Sequence, residues 1–362
     1  MRTLSILIAA GLALASNSFA QSTSGTATTD PVGYISITCS GSSDTFVSIP
    51  FSRPPEFVGT VQSISGNVLT VSGTPGWSTN QFVYSGSSQS KTYYALLASG
   101  TTSISKEGSV YTVTANDSQT LTLNLNGDDI SSIPSGAQVI LAPYWTLGTA
   151  FPASNAGVSF SASPSSRSIA TQILIPNYSG TGINLAASAI YYFLNGAWRL
   201  SGSDPNVDKG NDVLPPYGYF IIRNPNNFPT TVFTATGNVP MKKNMIPLAT
   251  LVASSQDNPA SVTRPVDITL NSLGIIESGA FMVTTSSRSI KDQILVYNNS
   301  QIGINKSASS IYYYYNSGWR LSGGDPNVDY GSAVIPAGSG ITIRKSASGT
   351  GQTVFWQNSP TY

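Results

Sequence analysis

The chain has no histidine, one cysteine and very few charged residues. The absence of histidine excludes the Ser-His-Asp and Cys-His nucleophile systems and nearly all zinc chemistry. Only 9% of the residues are charged, and the formal net charge is +1. The sequence therefore offers no electrostatic basis for binding nucleic acid or an anionic membrane, and we expect neither as a partner.

Carboxylates for acid–base catalysis are also scarce. The chain has three glutamates, Glu56, Glu107 and Glu277. The adjacent residues Asp128 and Asp129 would point to opposite faces if they lay on a strand. No other feature supports two carboxylates arranged as in a glycosidase. We therefore predict that the protein is not an enzyme and has no cofactor other than the calcium considered below.

The single cysteine, Cys39, cannot form a disulfide within the chain. It ends an alternating run at residues 34–39, which predicts a small buried side chain on a strand. A disulfide to a second copy of the chain is the alternative. Without internal disulfides, the stability of the protein must come from the area of its hydrophobic core.

The first 20 residues have the pattern of a secretory signal. Arg2 provides the positive start, residues 4–15 are apolar, and residues 18–20 form a small-x-small cleavage site. The apolar stretch is too short to span a membrane comfortably, and no later segment is long enough. We therefore expect an exported protein without a transmembrane helix, in the periplasm, on the outer cell surface or outside the cell. Residues 21–32 are expected to form a flexible linker.

The C-terminal two-thirds of the chain contains the same sequence block twice. Residues 165–223 align with residues 286–344 without a gap. Both copies contain SSRSI, QIL and GIN, and they also share the stretches WRLSG and DPNVD. An ungapped match of this length indicates one structural unit that occurs twice.

Almost every readable segment has the character of a β-strand. Apolar and polar residues alternate at residues 111–114 and 121–125, and turn residues recur about every eight to twelve positions. In the first copy, Asn195-Gly196 predicts a type I′ hairpin turn, and residues 316–318 occupy the same place in the second. The predicted fold class is all-β, with two tandem β-sandwich or barrel-like repeats and a small β-barrel domain inserted in the first.

The inserted domain is inferred from a second, weaker match. Residues 244–248, before the second copy, resemble residues 45–51, but the β-rich stretch after residue 56 has no counterpart in the second copy. We therefore predict an insertion whose ends lie close together on a surface loop. The predicted boundaries are 33–56 for the start of repeat 1, 57–143 for the inserted β domain, 144–238 for the remainder of repeat 1 and 239–362 for repeat 2.

A polar loop of sequence DPNVD follows the hairpin in each copy and presents side-chain oxygens at alternate positions. Calcium takes about six to eight oxygen ligands, and a calcium loop supplies them with this spacing. The glycine comes one position late, however, and a proline stands where a calcium loop has its last glutamate. The candidate calcium ligands are Asp204, Asn206 and Asp208 in the first copy and Asp325, Asn327 and Asp329 in the second.

The alternative interpretation of these loops is structural. Their aspartates can accept hydrogen bonds from backbone N–H groups in Asx-turns or pair with arginine. Arginine occurs at matched positions in both copies, which favours ion pairs inside each repeat. The matched arginines are Arg167 and Arg288, Arg199 and Arg320, and Arg223 and Arg344.

Tyrosine and tryptophan are concentrated in the repeated hairpins. Sugars bind on exposed faces of aromatic rings with help from a few polar groups, so these residues raise the hypothesis of a carbohydrate-binding surface. Core packing and self-association are the favoured interpretation, because both residue types are common in strands and at interfaces. The candidate ligand-binding residues are Tyr192 and Trp198 in the first copy and Tyr313 and Trp319 in the second.

The N-terminal part of the chain carries a resemblance to a family. The segments TDPVGY (residues 29–34), DTFV (44–47), RPP (53–55) and GTV (59–61) resemble an uncharacterised family of exported, repeat-containing β proteins found in verrucomicrobial bacteria. The resemblance covers essentially the whole mature chain. It implies secretion through a double-membrane envelope, and it transfers no functional residue.

The sequence predicts an exported, non-enzymatic structural or adhesive protein of the cell envelope or extracellular matrix. Its expected partners are further copies of itself, through self-association, or surface glycans. The alternative is a carbohydrate-binding protein that uses exposed tryptophan and tyrosine of the repeated hairpins. The exposure of the two hairpin tryptophans discriminates between these functions.

Overall fold

A computed structural model describes residues 31–86, 89–101, 103–286, 288–360 and 362. The predicted secretory signal at residues 1–20 lies outside the described residues, as does most of the predicted linker. The described residues form 22 strands, one α-helix, α1 (Leu147–Ala150), and two 3-10 helices at Ala153–Asn155 and Leu270–Ser272. No helix in these ranges is long and apolar enough to cross a membrane. The prediction of an all-β fold is confirmed.

The strands are numbered in chain order. The first two are β1 (Val32–Cys39) and β2 (Ser43–Val47). The next six are β3 (Phe57–Ser65), β4 (Val68–Val71), β5 (Tyr93–Ala98), β6 (Val110–Asn116), β7 (Thr120–Asn124) and β8 (Gln138–Pro143). Five follow, namely β9 (Gln172–Pro176), β10 (Ala187–Leu194), β11 (Ala197–Leu200), β12 (Phe220–Asn224) and β13 (Thr231–Asn238). The last nine are β14 (Asn244–Ala249), β15 (Gln256–Ser261), β16 (Ile268–Thr269), β17 (Gln293–Val296), β18 (Ser310–Tyr315), β19 (Gly318–Leu321), β20 (Val334–Ile335), β21 (Gly340–Lys345) and β22 (Thr353–Asn358).

Two five-stranded antiparallel sheets have the same strand order. The first runs β11-β10-β9-β12-β2, and the second runs β19-β18-β17-β21-β15. The chain also forms two two-stranded ribbons, β1-β13 and β14-β22. We call β1, β2 and the chain from α1 to β13 the first half, and β14 to β22 the second half. The short pair β16-β20 in the second half corresponds to a single bridge between Thr146 and Val213 in the first half. The two halves therefore share one pattern of strand pairing, while the exact repeat boundaries stay a prediction.

The two hairpins predicted in the repeated blocks are confirmed. Strand β10 pairs with β11, and β18 pairs with β19. The turn residues Asn195 and Gly196 have φ values of 52° and 78°, and a type I′ turn requires positive φ at both central positions. In the second hairpin Asn316 and Ser317 adopt φ values of 46° and 54° without a glycine.

Strands β3 to β8 close into a six-stranded barrel of order β3-β4-β7-β6-β5-β8. Apolar side chains alternate with polar ones along these strands, so that Leu69, Leu121 and Leu123 are fully buried inside. The first and last barrel strands pair with each other, with Phe57 opposite Leu141. The ends of the predicted insertion at 57–143 are therefore neighbours, which is the arrangement an insertion requires; the insertion itself stays a prediction.

The barrel also contacts the second ribbon, β14-β22. Glu107 forms an ion pair with Lys243 at 3.0 Å, and the N–H of Met245 donates to the carbonyl of Gly108 at 3.0 Å. A Cβ atom at Gly108 would lie 2.7 Å from the carbonyl oxygen of Lys243. Only glycine therefore allows the barrel backbone to come this close to β14.

Cys39 ends β1 and is fully buried in the core of the first half. Burial raises the pKa of its thiol from the ordinary value of 9.0 to about 11. A disulfide to a second copy would therefore require the first half to open.

We expect the Cys39 thiol to resist an aromatic disulfide reagent at pH 8 in the folded protein and to react completely in denaturant. The thiolate is the reacting species, and the fold both hides the sulfur and disfavours its ionisation. Because the folded pKa is the higher one, this group stabilises the fold fully below about pH 9, and the contribution is lost as the pH rises towards 11. Rapid labelling of native protein at pH 8 would contradict the expectation.

Candidate functional surfaces

The four aromatic residues predicted to bind sugars are all buried. The exposed fractions of Trp198 and Trp319 are 2% and 1%, and those of Tyr192 and Tyr313 are 3% and 4%. The indole N–H of Trp198 donates to the carbonyl of Phe151 at 3.1 Å. None of the four rings presents a face to solvent, so the carbohydrate hypothesis loses the residues on which it rested.

The other tyrosines of the second hairpin are only partly buried. Tyr314 packs edge-on against Trp319, with ring centroids 5.3 Å apart, and Tyr312 lies 6.1 Å from Tyr330. These contacts are made within the second half of the chain. The rings of this hairpin thus serve mainly its own packing.

The two DPNVD loops form tight turns that are held by their own aspartates. In the first loop, Oδ1 of Asp204 accepts from the backbone N–H of Asn206 at 2.9 Å and from its side-chain amide at 3.1 Å. In the second, Asp325 accepts from Asn327 in the same way at 2.9 and 3.0 Å. This is the Asx-turn geometry of the structural interpretation.

The last aspartate of each loop also bonds to the backbone. Asp208 accepts from the N–H of Gly210 at 2.9 Å. Asp329 accepts from the N–H of Trp319 at 2.8 Å and lies 3.8 Å from the guanidinium of Arg320. Over the described residues, no group of three or more His, Cys, Asp or Glu side chains could hold a metal ion. Calcium binding by the loops stays a prediction.

The loops are identical in the two copies except at one position, although they are exposed throughout. Residues 201–208 read SGSDPNVD and residues 322–329 read SGGDPNVD, and every one of these residues is exposed. Exposed loops ordinarily vary more than the strands they connect. Here the exposed loop is retained while a buried position differs between the two copies: the buried Tyr219 of the first copy corresponds to Gly340 in the second. The retained surface is therefore the strongest candidate for a functional contact.

Two further sites combine an arginine, an aspartate and an asparagine, and we call each one a clasp. In the first clasp, Nε and an Nη of Arg223 bind the two carboxylate oxygens of Asp44 at 2.6 and 2.8 Å. Asn305 comes from the second half. Its backbone N–H donates to Asp44 at 2.7 Å, and its side-chain oxygen accepts from Arg223 at 2.6 Å.

The second clasp repeats this geometry with the halves exchanged. Arg344 binds the two oxygens of Asp257 at 2.7 and 2.9 Å, and these hydrogen bonds raise the pKa of Arg344. Asn184, from the first half, donates its N–H to Asp257 at 2.8 Å and accepts from Arg344 at 2.9 Å. Each arginine thus pairs with an aspartate of its own half, which is the kind of ion pair that the matched arginines indicated, and the asparagine joins that pair to the other half.

Backbone hydrogen bonds between the halves also occur in equivalent pairs. The N–H of Asp44 donates to Gly303 at 2.8 Å, and that of Asp257 donates to Gly182 at 2.9 Å. These bonds cover the outer edges of β2 and β15, the last strands of their sheets. Contacts that recur with the partners exchanged are the signature of a two-fold interface. The halves therefore associate as the subunits of a symmetric dimer do, within one chain.

Aromatic packing fills one side of this interface. Phe46 stacks on Tyr297 with ring centroids 3.8 Å apart and planes 3° apart, and Tyr219 lies 5.6 Å from Phe46. The hydroxyls of Tyr219 and Tyr297 lie 3.2 and 3.0 Å from the hydroxyl of Thr342. Burial raises the pKa of Tyr219 well above its ordinary value. These contacts fix the two sheets relative to each other.

An open cleft of about 380 Å³ lies near the second ribbon and is lined in part by Lys243, Arg264 and Glu277. Lys243 already pairs with Glu107 at 3.0 Å, and Arg264 donates to the carbonyl of Ser272 at 2.6 Å. Both cations of the cleft are thus engaged within the protein.

No protein-family model, no curated protein and no solved structure matches this chain.

Proposed function

We propose that this chain is an exported, non-enzymatic structural or adhesive protein of the cell envelope or extracellular matrix, and that it binds through residues 201–208 and 322–329. The observation that carries the proposal is the presence of the same exposed loop twice on one chain. Each loop is shaped by its own Asx-turn, so it presents its side chains without needing a ligand to order it.

Bivalency follows from the interface between the halves. The clasps and the aromatic packing hold the two sheets in one arrangement, so the loops keep a fixed separation. When both loops engage one partner surface, the second contact becomes intramolecular and raises apparent affinity by about 100-fold or more. A protein that binds in this way needs no catalytic group. It needs two weak binding surfaces that are held at a fixed separation.

The exposed valine of each loop offers the sharpest test. Val207 and Val328 are 45% and 44% exposed, and their replacement by serine leaves the Asx-turn bonds intact. We expect the chain from Gln21 onward to form sheets or fibres, measured by light scattering and electron microscopy with and without calcium. Val207→Ser or Val328→Ser should each raise the concentration needed for assembly by about 100-fold.

The matched control is Val252→Ser, an exposed valine outside both loops, and assembly should be unchanged in that variant. A monodisperse chain in both buffers that also fails to bind envelope fragments or a glycan array would overturn the proposal. Assembly that is indifferent to both loop variants would leave a structural role but remove the loops from it. Assembly that appears only with calcium would support the predicted metal ligands.

A further inference from the structure

The second half contains a buried lysine–aspartate pair that the proposed function does not use. Lys345, the last residue of β21, contacts the carboxylate of Asp292, which precedes β17. Their side chains are 5% and 0% exposed. The Nζ atom of Lys345 also lies 5.9 Å from the ring centroid of Phe281. Lysine and aspartate are almost never buried this completely unless they are paired.

The first half shows that the fold does not need charges at this place. The corresponding residues there are Thr171 and Asn224, both fully buried, and the hydroxyl of Thr171 donates to the side-chain oxygen of Asn224 at 2.7 Å. A neutral hydrogen bond therefore satisfies the same position between the same strands. Removing an ammonium and a carboxylate from water costs several kcal/mol per ion, which close pairing only offsets.

We propose that Lys345 and Asp292 condense to form an amide cross-link within the folded protein. The ammonium first passes a proton along its hydrogen bond to the carboxylate, which leaves a neutral amine and a carboxylic acid. The amine nitrogen then attacks Cγ of Asp292, forming the C–N bond. The C–O bond to the hydroxyl breaks, and a second proton moves from nitrogen to that leaving hydroxyl. One water molecule is released, and no oxidant, reductant or other reactant is required.

The groups around Asp292 suit this reaction. Oδ1 accepts from the N–H of Ser346 at 2.8 Å and lies 3.1 Å from the hydroxyl of the same residue. Oδ2 accepts from the N–H of Met282 at 2.7 Å. Because Oδ2 takes the proton from Nζ and becomes the leaving hydroxyl, negative charge develops on Oδ1 when the amine adds to Cγ, and the donors of Ser346 face that oxygen. The Ser346 hydroxyl therefore adds a second donor to the developing oxyanion.

The pairing of the two strands also favours the condensation. The reacting side chains are held in contact by the pairing of β17 with β21, where Gln293 and Arg344 are opposite each other. Holding the amine in contact with the carboxyl group raises the rate of condensation in the same way as a very high concentration of free amine would. Water is excluded from a side chain with no exposed surface, which disfavours hydrolysis of the amide. The amide would close a loop that contains the β18-β19 hairpin and the loop at 322–329.

The mass of the folded protein tests the proposal directly. We expect the purified chain from Gln21 onward to be lighter than its sequence by one water molecule. Peptide mapping should place the loss in a branched peptide that joins the segments carrying Asp292 and Lys345. The matched variant Asp292→Thr/Lys345→Asn installs the pair that the first half uses, and it should have the full mass. Its melting temperature should be lower by roughly 5 °C, because the closed loop is lost.

A second variant tests the hydroxyl donor of Ser346. Ser346→Ala should slow condensation by at least about 10-fold, measured as the condensed fraction at fixed times after synthesis. A native chain with the full, uncondensed mass overturns the proposal. Loss of water that persists in the Asp292→Thr/Lys345→Asn variant also overturns it, because the loss then occurs elsewhere.

Discussion

Replacing Asp44 by alanine is expected to lower the free energy of unfolding by about 3 kcal/mol or more. The carboxylate is 2% exposed and binds Arg223 through both of its oxygens. Its removal leaves a partly buried guanidinium without its anion and the N–H of Asn305 without an acceptor. Removing one member of a buried pair costs more than the pair itself contributes, because the remaining charge stays desolvated. Chemical denaturation followed by tryptophan fluorescence measures the change.

Asn305→Gly is the matched control for this clasp. Asn305 has a φ of 57°, which glycine adopts without strain, so the variant removes only the side-chain bond to Arg223. The expected loss is about 1 kcal/mol. Asp257→Ala, at the second clasp, should resemble Asp44→Ala, because its contacts are the same with the halves exchanged. A loss below about 1 kcal/mol for both aspartate variants would show that the clasps do not hold the halves together.

The local structure could be predicted from the sequence because short-range chemistry determines it. Asn195 and Gly196 specify their turn, since few other residues accept positive φ at two successive positions. Alternation along residues 121–125 specifies a strand with one buried face. The β-rich stretch between residues 56 and 144 was expected to form a small barrel, and the barrel strands do lie between β2 and α1, whereas its origin as an insertion stays a prediction.

The tertiary environment of individual side chains could not be predicted in the same way. Alternation shows that a strand has two faces, but it does not show that Trp198 lies on a covered one. Asp44 and Asn305 are 261 positions apart, and no local pattern connects residues at that distance. The matched arginines could be seen in the sequence, and each one pairs with an aspartate on the neighbouring strand of its own sheet, but the asparagine that completes each clasp depends on how the halves pack. Only the three-dimensional structure shows whether an aromatic ring is exposed and can stack on a sugar, or is buried in the core.

Near the two-fold axis of the interface, equivalent positions of the two halves face each other, and only one of them can be large. Tyr219 corresponds to Gly340, and a Cβ atom at Gly340 would lie 2.4 Å from Cγ of Tyr219. Gly340→Tyr is therefore expected to destabilise the protein by about 3 kcal/mol or more through overpacking. Thr353→Tyr, at an exposed strand position, is the control and should cost less than about 0.5 kcal/mol.

Exchanging the two residues should recover much of this loss. Tyr219→Gly alone removes a ring that packs against Phe46 and is expected to cost about 3–5 kcal/mol. In Tyr219→Gly/Gly340→Tyr, the new ring enters from the other half into the space that the old one left. The summed single losses should then exceed the loss in the double variant by at least about 2 kcal/mol. Recovery should be incomplete, because the new hydroxyl would face Ile221 where the original meets Thr342. Additive losses, measured by chemical denaturation, would mean that the two halves are not interchangeable at their axis and that the paired contacts reflect coincidence, not a two-fold interface.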